Sequence, residues 1–413
     1  MRLLKAELKR ILKSSRSMGL IAIGICLSVL LAIVPVLFVS ADIRDAHGNV
    51  RELNGISAIR YWREIDKPFD GEVTPEKLKS ALTTYQDCVK KYGNPNSESF
   101  PSDVYIEKIA PIYSLLRLAT ITYDDFVNGN LIPRGLEAIN VDELDSFYQE
   151  CDTRLQNVLT AERETAATIK KATELYGKVE RPFTLHAGYT RDAFDYLTIN
   201  TLFFVLFGVV FSAPLFSENY ETGADHILRC TKFGRKKLAR TKILAHMLMN
   251  ILMYLIGITL HLIISDLAFG MSTLKTSVQA LYDTISLPNM NLFQLQITVS
   301  LAGMLSLIAG NAFTYFVSAK QERVAGTLSL SLLIALAPTF IFMGLGNNWL
   351  SAILPTGGVG MNNSLLNQLV DFRFLHLGSH SFWTPQVTLL FTIIWIPVFL
   401  FLAIRSYSKH QVA

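Results

Sequence analysis

The chain has 413 residues, half of them apolar, with a mean hydropathy of +0.32 and only 17% charged residues. A water-soluble domain of that size carries more charge, so a purely soluble fold is excluded and a membrane protein is expected. The formal net charge of +4 is small, but the basic residues are bunched in short segments, and four scattered cysteines have no metal or redox spacing.

Residues 1–17 place Leu4, Leu8, Ile11 and Leu12 on one side of a helix and Lys5, Lys9, Arg10, Lys13 and Arg16 mostly on the other. That pattern predicts a cytoplasmic interfacial helix resting on membrane lipid. Residues 18–39 follow as transmembrane helix 1. A signal-peptide core is about 7 to 15 residues, and this apolar run is longer, which favours a span over a cleaved leader. Five further windows, about Tyr196–Phe216, Ile243–Ser265, Phe293–Val317, Val324–Leu345 and Val387–Ile404, carry no full charge in their interiors. Each reaches the roughly 20 residues needed to cross about 30 Å of hydrocarbon.

Between the first two spans, residues 40–195 are rich in charge of both signs and read as a folded extracellular domain. Thr74–Tyr92, with its Thr-Pro start, and Val141–Tyr176, acid-rich at its beginning, read as amphipathic helices. Cys88 and Cys151 lie in this domain and could form one disulfide. The fold class predicted is an all-α membrane protein, six transmembrane helices with a mainly helical extracellular domain. Residues 196–413 hold spans 2–6.

Orientation follows from charge. The amino-terminal segment, the loop after span 2 (Arg229 to Lys242), the gap holding Lys320 and Arg323, and the tail with Arg405 and Lys409 fall on one side of a six-span chain. The positive-inside rule makes that side cytoplasmic, with both termini there, in a multi-pass cell-membrane protein.

Loop 217–242 reads as a short helix along the inner face, started by acids and stopped near Gly234, or as an ordinary positive-inside loop. Span 3 carries His246, Asn250, Tyr254, His261 and Ser265 near helical spacing, and span 4 carries Asn311. Such residues either hydrogen-bond between helices or line a translocation path. Asp266 reads as solvated at the outer end of span 3. Gly303, Ser306 and Gly310 form a small-residue stripe suited to close helix packing. Segment 344–385 lies outside, with a glycine patch at Gly357–Gly360, a partly apolar stretch and two tryptophans. No phosphate loop, H-E-x-x-H or G-x-S-x-G motif occurs, so no catalytic residues, metal or cofactor are expected, and no nucleic-acid partner.

Glu218, Gly223, Leu228, Thr231, Arg235 and Lys242 together resemble the loop between spans two and three of ABC type-2 exporter permeases, departing from it at Ala224 and Lys232. The resemblance extends to the six-span plan and the amino-terminal helix, and the enlarged segment between spans 1 and 2 is as in some bacterial members. It implies that 217–242 is a coupling loop docking on a separate ATP-binding subunit, that 344–385 re-enters the membrane from outside, and that the chain is an exporter permease. Two ATP-binding subunits and a second permease, identical or similar, are then the partners. The alternative is a membrane-anchored sensor that binds an external ligand through residues 40–195. A secondary transporter would show internal repeats and intramembrane charges, which are not seen.

Overall fold

The computed structural model describes residues 2–44, 50–97 and 99–410. Among them, six helices are long and apolar enough to cross a membrane: Ser15–Leu37, Arg191–Glu221, Lys236–Phe269, Leu292–Ser318, Val324–Leu345 and Thr384–Lys409. These are spans 1 to 6, and the protein is an all-α membrane protein. They overrun the apolar windows because flanking polar residues continue the helical hydrogen bonding into the interface. The second helix restarts at Pro214, whose missing N–H turns Arg191–Ser212 into Pro214–Glu221. Pro35, Pro338 and Pro397 are accommodated inside spans 1, 5 and 6.

The amino-terminal helix Arg2–Lys13 is amphipathic, and Ser14 then caps span 1 by accepting from Ser17 N–H at 3.3 Å. Its apolar side does more than lie on lipid. Ile11, with Leu4 and Leu8, packs against Phe211, Ala245 and Met249 of spans 2 and 3.

The insert between spans 1 and 2 is mainly helical, with short antiparallel hairpins such as Ser40–Arg44 with Val50–Asn54. Thr74 caps Pro75–Tyr92 by accepting from Lys77 N–H, as its Thr-Pro start predicts. Val141–Tyr176 is not one helix. It is a 3-10 turn followed by Phe147–Ala161 and Ala166–Tyr176, broken where Arg163 takes a positive φ of 54° and Thr165 caps the second piece. The break lets Phe147, Cys151 and Leu155 from one piece and Ala172 and Tyr176 from the other share one core.

Cys88 and Cys151 are both buried and unbridged, so the disulfide does not form here. Burial pushes the Cys151 thiol up to about 12, which keeps it protonated and inert.

The insert's core is not its own. It runs without interruption into Leu197, Phe204, Tyr254 and Leu307 of spans 2 to 4. The connection between spans 3 and 4 is the hinge of this union. Arg154 of the insert meets Asp283 at 2.7 Å, Arg117 donates to the carbonyls of Ala280 and Tyr282, and Ser277 N–H donates to Thr184 O at 2.8 Å. Asp266, expected to be solvated, is buried there instead, accepting from Gln296 Nε2 at 2.8 Å and from Tyr189 at 3.3 Å. Two neutral donors hold the carboxylate where lone burial would be costly.

Candidate functional site

The basic segments gather at one end of the bundle. There the residues singled out in 217–242 fall into a structural group and an exposed group. Gly223 has φ 71°, a left-handed conformation that turns the chain out of Pro214–Glu221 and into the short helix Ala224–Arg229. Leu228 O closes that helix by accepting from Thr231 Oγ1 at 2.7 Å and Thr231 N–H at 3.1 Å. A Cβ on Gly234 would lie 1.7 Å from Leu228 O, so only glycine permits the return. Lys242 is buried, with Nζ 3.5 Å from Leu215 O. Glu218 and Arg235 are exposed.

The tightest contacts come from residues that sequence reasoning passed over. Asp225 and Arg229, one helical turn apart and both buried, form an ion pair. Arg229 also donates to Tyr407 O at 2.8 Å and His410 O at 2.9 Å, with its guanidinium 4.7 Å above the Tyr407 ring. Those carbonyls belong to the end of span 6, where unpaired C=O groups attract a cation. Glu221 reaches the other neighbour: its Oε2 accepts from Val324 N–H at 3.0 Å, capping the start of span 5. Ser318 Oγ, at the end of span 4, accepts from Phe216 N–H at 2.9 Å and donates to Ala213 O at 2.8 Å. The i, i+4 spacing of Asp225 and Arg229 was the available signal, but it reads as an ordinary surface pair until span 6 is placed beside it.

What the loop presents outward is apolar at its tip and basic around it. Ile227 is 76% exposed, and Phe233 is flanked by Lys232 and Lys237, the latter 3.8 Å from the ring centroid.

The polar residues singled out on spans 3 and 4 point inward. His246, Asn250, Tyr254, His261 and Asn311 are buried. Asn250 Nδ2 donates to Ser212 Oγ at 3.1 Å, Tyr254 Oη donates to Ser300 O at 2.6 Å, and His246 lies against the Phe211 ring. Both ring nitrogens of His261 and both amide atoms of Asn311 find no hydrogen-bond partner among the described residues. Asn200 of span 2, absent from the sequence reading, joins them by accepting from Ser28 Oγ of span 1 at 3.0 Å. Of the five, His246 borders a cavity of about 270 Å3 that also includes Glu218, Arg10 and Ser14. One expected coupling residue and one expected pathway residue therefore share a space.

At the opposite end, 344–385 folds as Trp349–Ile353, a glycine-rich loop, Leu365–Val370 and a hairpin of Phe374–Leu377 with His380–Trp383. The loop reaches deep between spans. Thr356 Oγ1 donates to Ala335 O at 2.9 Å, and Trp395 Nε1 donates to Ile353 O at 2.5 Å. Ala335 lies about ten residues, roughly 15 Å of helix, from the Leu345 end of span 5. Irregular backbone at that depth must have its carbonyls satisfied by protein. Gln368 Nε2 does so, donating to Gly357 O at 2.9 Å and Asn363 O at 2.7 Å.

Residues 1–412 match the family profile described as ABC-2 family transporter protein. No curated protein matches the chain.

Proposed function

Because the chain belongs to the ABC-2 family of transporter proteins, whose members form the membrane-spanning permease part of an ABC transporter, we propose that it exports a substrate using ATP hydrolysed by a separate subunit docked on 217–242. The observation that carries this reading is the double tie of that loop. The end of span 2 is fixed to span 5 through Glu221 and the short helix that follows it to span 6 through Arg229, while Ile227 and Phe233 stand exposed beside them. A displacement of the tip is thereby passed to two spans at once, which a merely positive loop would not require. The partner surface that fits is an apolar socket with an acidic rim.

In this reading the basic end is cytoplasmic, as the positive-inside rule expects, and residues 40–195 stand outside. The 344–385 segment dips back into the bilayer and closes the exit beneath the insert, to which Ser381 Oγ is joined by Thr168 Oγ1 at 2.8 Å. Two permease copies, or this chain with a similar one, would stand above two ATP-binding subunits. His246, Asn250, Tyr254, His261 and Asn311 become pathway lining only if the bundle opens, since in this state they are packed.

The test is purification of the tagged full chain in detergent with its bound proteins, followed by ATP hydrolysis assays, against Ile227→Asp and Arg235→Ala. Recovery of an ATPase with the wild type and its loss with Ile227→Asp is the expected result. A wild-type chain free of ATPase would return residues 40–195 to the ligand-sensor reading.

A further inference from the structure

At the insert end, a crevice of about 640 Å3 opens between span 1 and span 3. Its walls are Ile33, Val36 and Leu37 from span 1 and Ile264, Leu267 and Ala268 from span 3. Leu37 and Leu267 are 63% and 70% exposed, which places them against lipid in a spanning helix. Its roof is a helix of the insert, Ile56–Asp66, which contributes Arg60 and Arg63 and whose first turn, at Ile56 and Ser57, faces the same space.

Three features of the roof select an anion. Gly55, the residue before the helix, gives it no side-chain cap, so the first-turn N–H groups remain available to an acceptor. Among the described residues, neither Arg60 nor Arg63 has an ion pair. Arg63 is steadied in place, with its guanidinium donating to Ser272 Oγ at 3.2 Å and resting against Gly270. Arg60 is exposed and one turn away on the same helix.

The height is also right for a headgroup. Phe38 sits 6.1 Å from Tyr196 where spans 1 and 2 meet the insert, and Trp62 donates to Ser40 O at 2.9 Å. Aromatic side chains gather at this level of a membrane, between hydrocarbon and water.

We propose that this crevice binds one anionic phospholipid from the leaflet beside the insert. Its phosphate lies between Arg60, Arg63 and the start of Ile56–Asp66, and an acyl chain lies along Ile33, Leu37, Ile264 and Leu267. A zwitterionic lipid would bring a trimethylammonium beside the two guanidiniums along with its phosphate, and a free phosphate would leave the apolar walls bare. The lipid sits where span 1, span 3 and the insert meet, and touches all three.

The experiment is native mass spectrometry of the full chain released from mixed micelles holding dioleoylphosphatidylglycerol and dioleoylphosphatidylcholine in equal amounts. One retained phosphatidylglycerol per chain, preferred over phosphatidylcholine, is expected for the wild type. Arg60→Gln should lower that retention about fivefold, the effect of removing one basic contact to an anionic lipid, and Arg60→Lys should keep most of it. Ile264→Trp, which fills the crevice, should exclude both lipids. Equal retention of the two lipids, or wild-type retention in Arg60→Gln, overturns the proposal. Displacement of phosphatidylglycerol by inorganic phosphate alone would also overturn it, because the site would then be one for a free anion.

Discussion

The two ends of the bundle handle irregular backbone in opposite ways. At the basic end, 222–235 stays outside the spans and is fastened by charge, through Asp225 and Arg229 beside the Glu221 that ends span 2, with its tip left bare. At the insert end, 354–364 is drawn between spans 4, 5 and 6 and is fastened by neutral amides and hydroxyls, Gln368, Asn363 and Thr356, under a roof of insert. The difference follows from the surroundings. Charge-assisted bonds serve where water can reach the flanks, whereas at membrane depth a neutral donor satisfies a carbonyl without the desolvation cost of an ion.

Breaking the charged end should have the largest effect. Arg229→Ala leaves Asp225 buried without its partner and frees the last carbonyls of span 6, for an expected loss of about 3 to 5 kcal/mol of local stability. Thermal unfolding in detergent should show it, and ATPase stimulation by the chain should fall with it. If the pair acts as a tie and not through charge alone, Asp225→Asn with Arg229→Gln restores part of both. At the neutral end the most demanding position is Gly360, with φ 154° and a Cβ that would lie 2.0 Å from Asn363 Oδ1. Gly360→Ala should cost about 1 to 3 kcal/mol, while leaving copurification of an ATPase unchanged. A substitution that uncoupled both ends equally would erase the contrast.

The insert adds a pH dependence of its own. Asp66, where the roof helix ends, has its carboxyl pushed up to about 7, first by burial and then by Asp70, from an ordinary 3.8. The folded state therefore holds a proton between about pH 4 and pH 7 that the unfolded state has released. Stability from this group is greatest at the acid end of that window and declines as the pH rises through it. Comparing the pH profile of thermal unfolding with that of Asp66→Asn isolates the term. The variant should be flatter by on the order of 1 to 2 kcal/mol after allowance for partial exposure.

How much of this was legible in the sequence differs between the same regions. The spans were, because hydropathy over about 20 residues is a property of composition and the bilayer enforces it. Pro75–Tyr92 was, because Thr74 and Pro75 signal a start locally. The break at Arg163 was not. A non-glycine residue at positive φ is imposed by the shared core of Phe147, Cys151, Ala172 and Tyr176, and no local signal announces it. At the basic loop, Gly223 and Thr231 were picked out as motif residues, yet Asp225 and Arg229, which join the loop to span 6, were not. Their role depends on a helix end almost 180 residues away.

Asn311 gives the smallest effect and the sharpest choice between packing and pathway. Its amide is fully buried against Gly208, with no hydrogen-bond partner among the described residues. A buried amide without a partner contributes little to stability and is replaceable by an apolar side chain of similar volume. Asn311→Leu should therefore change thermal stability by less than about 1 kcal/mol. If it also leaves the substrate-stimulated rate of ATP hydrolysis intact, Asn311 is helix packing and the row on spans 3 and 4 is structural. If stability holds while that stimulation is lost, the amide is being kept for a state in which spans 2 and 4 part and the group finds its partner in what passes between them.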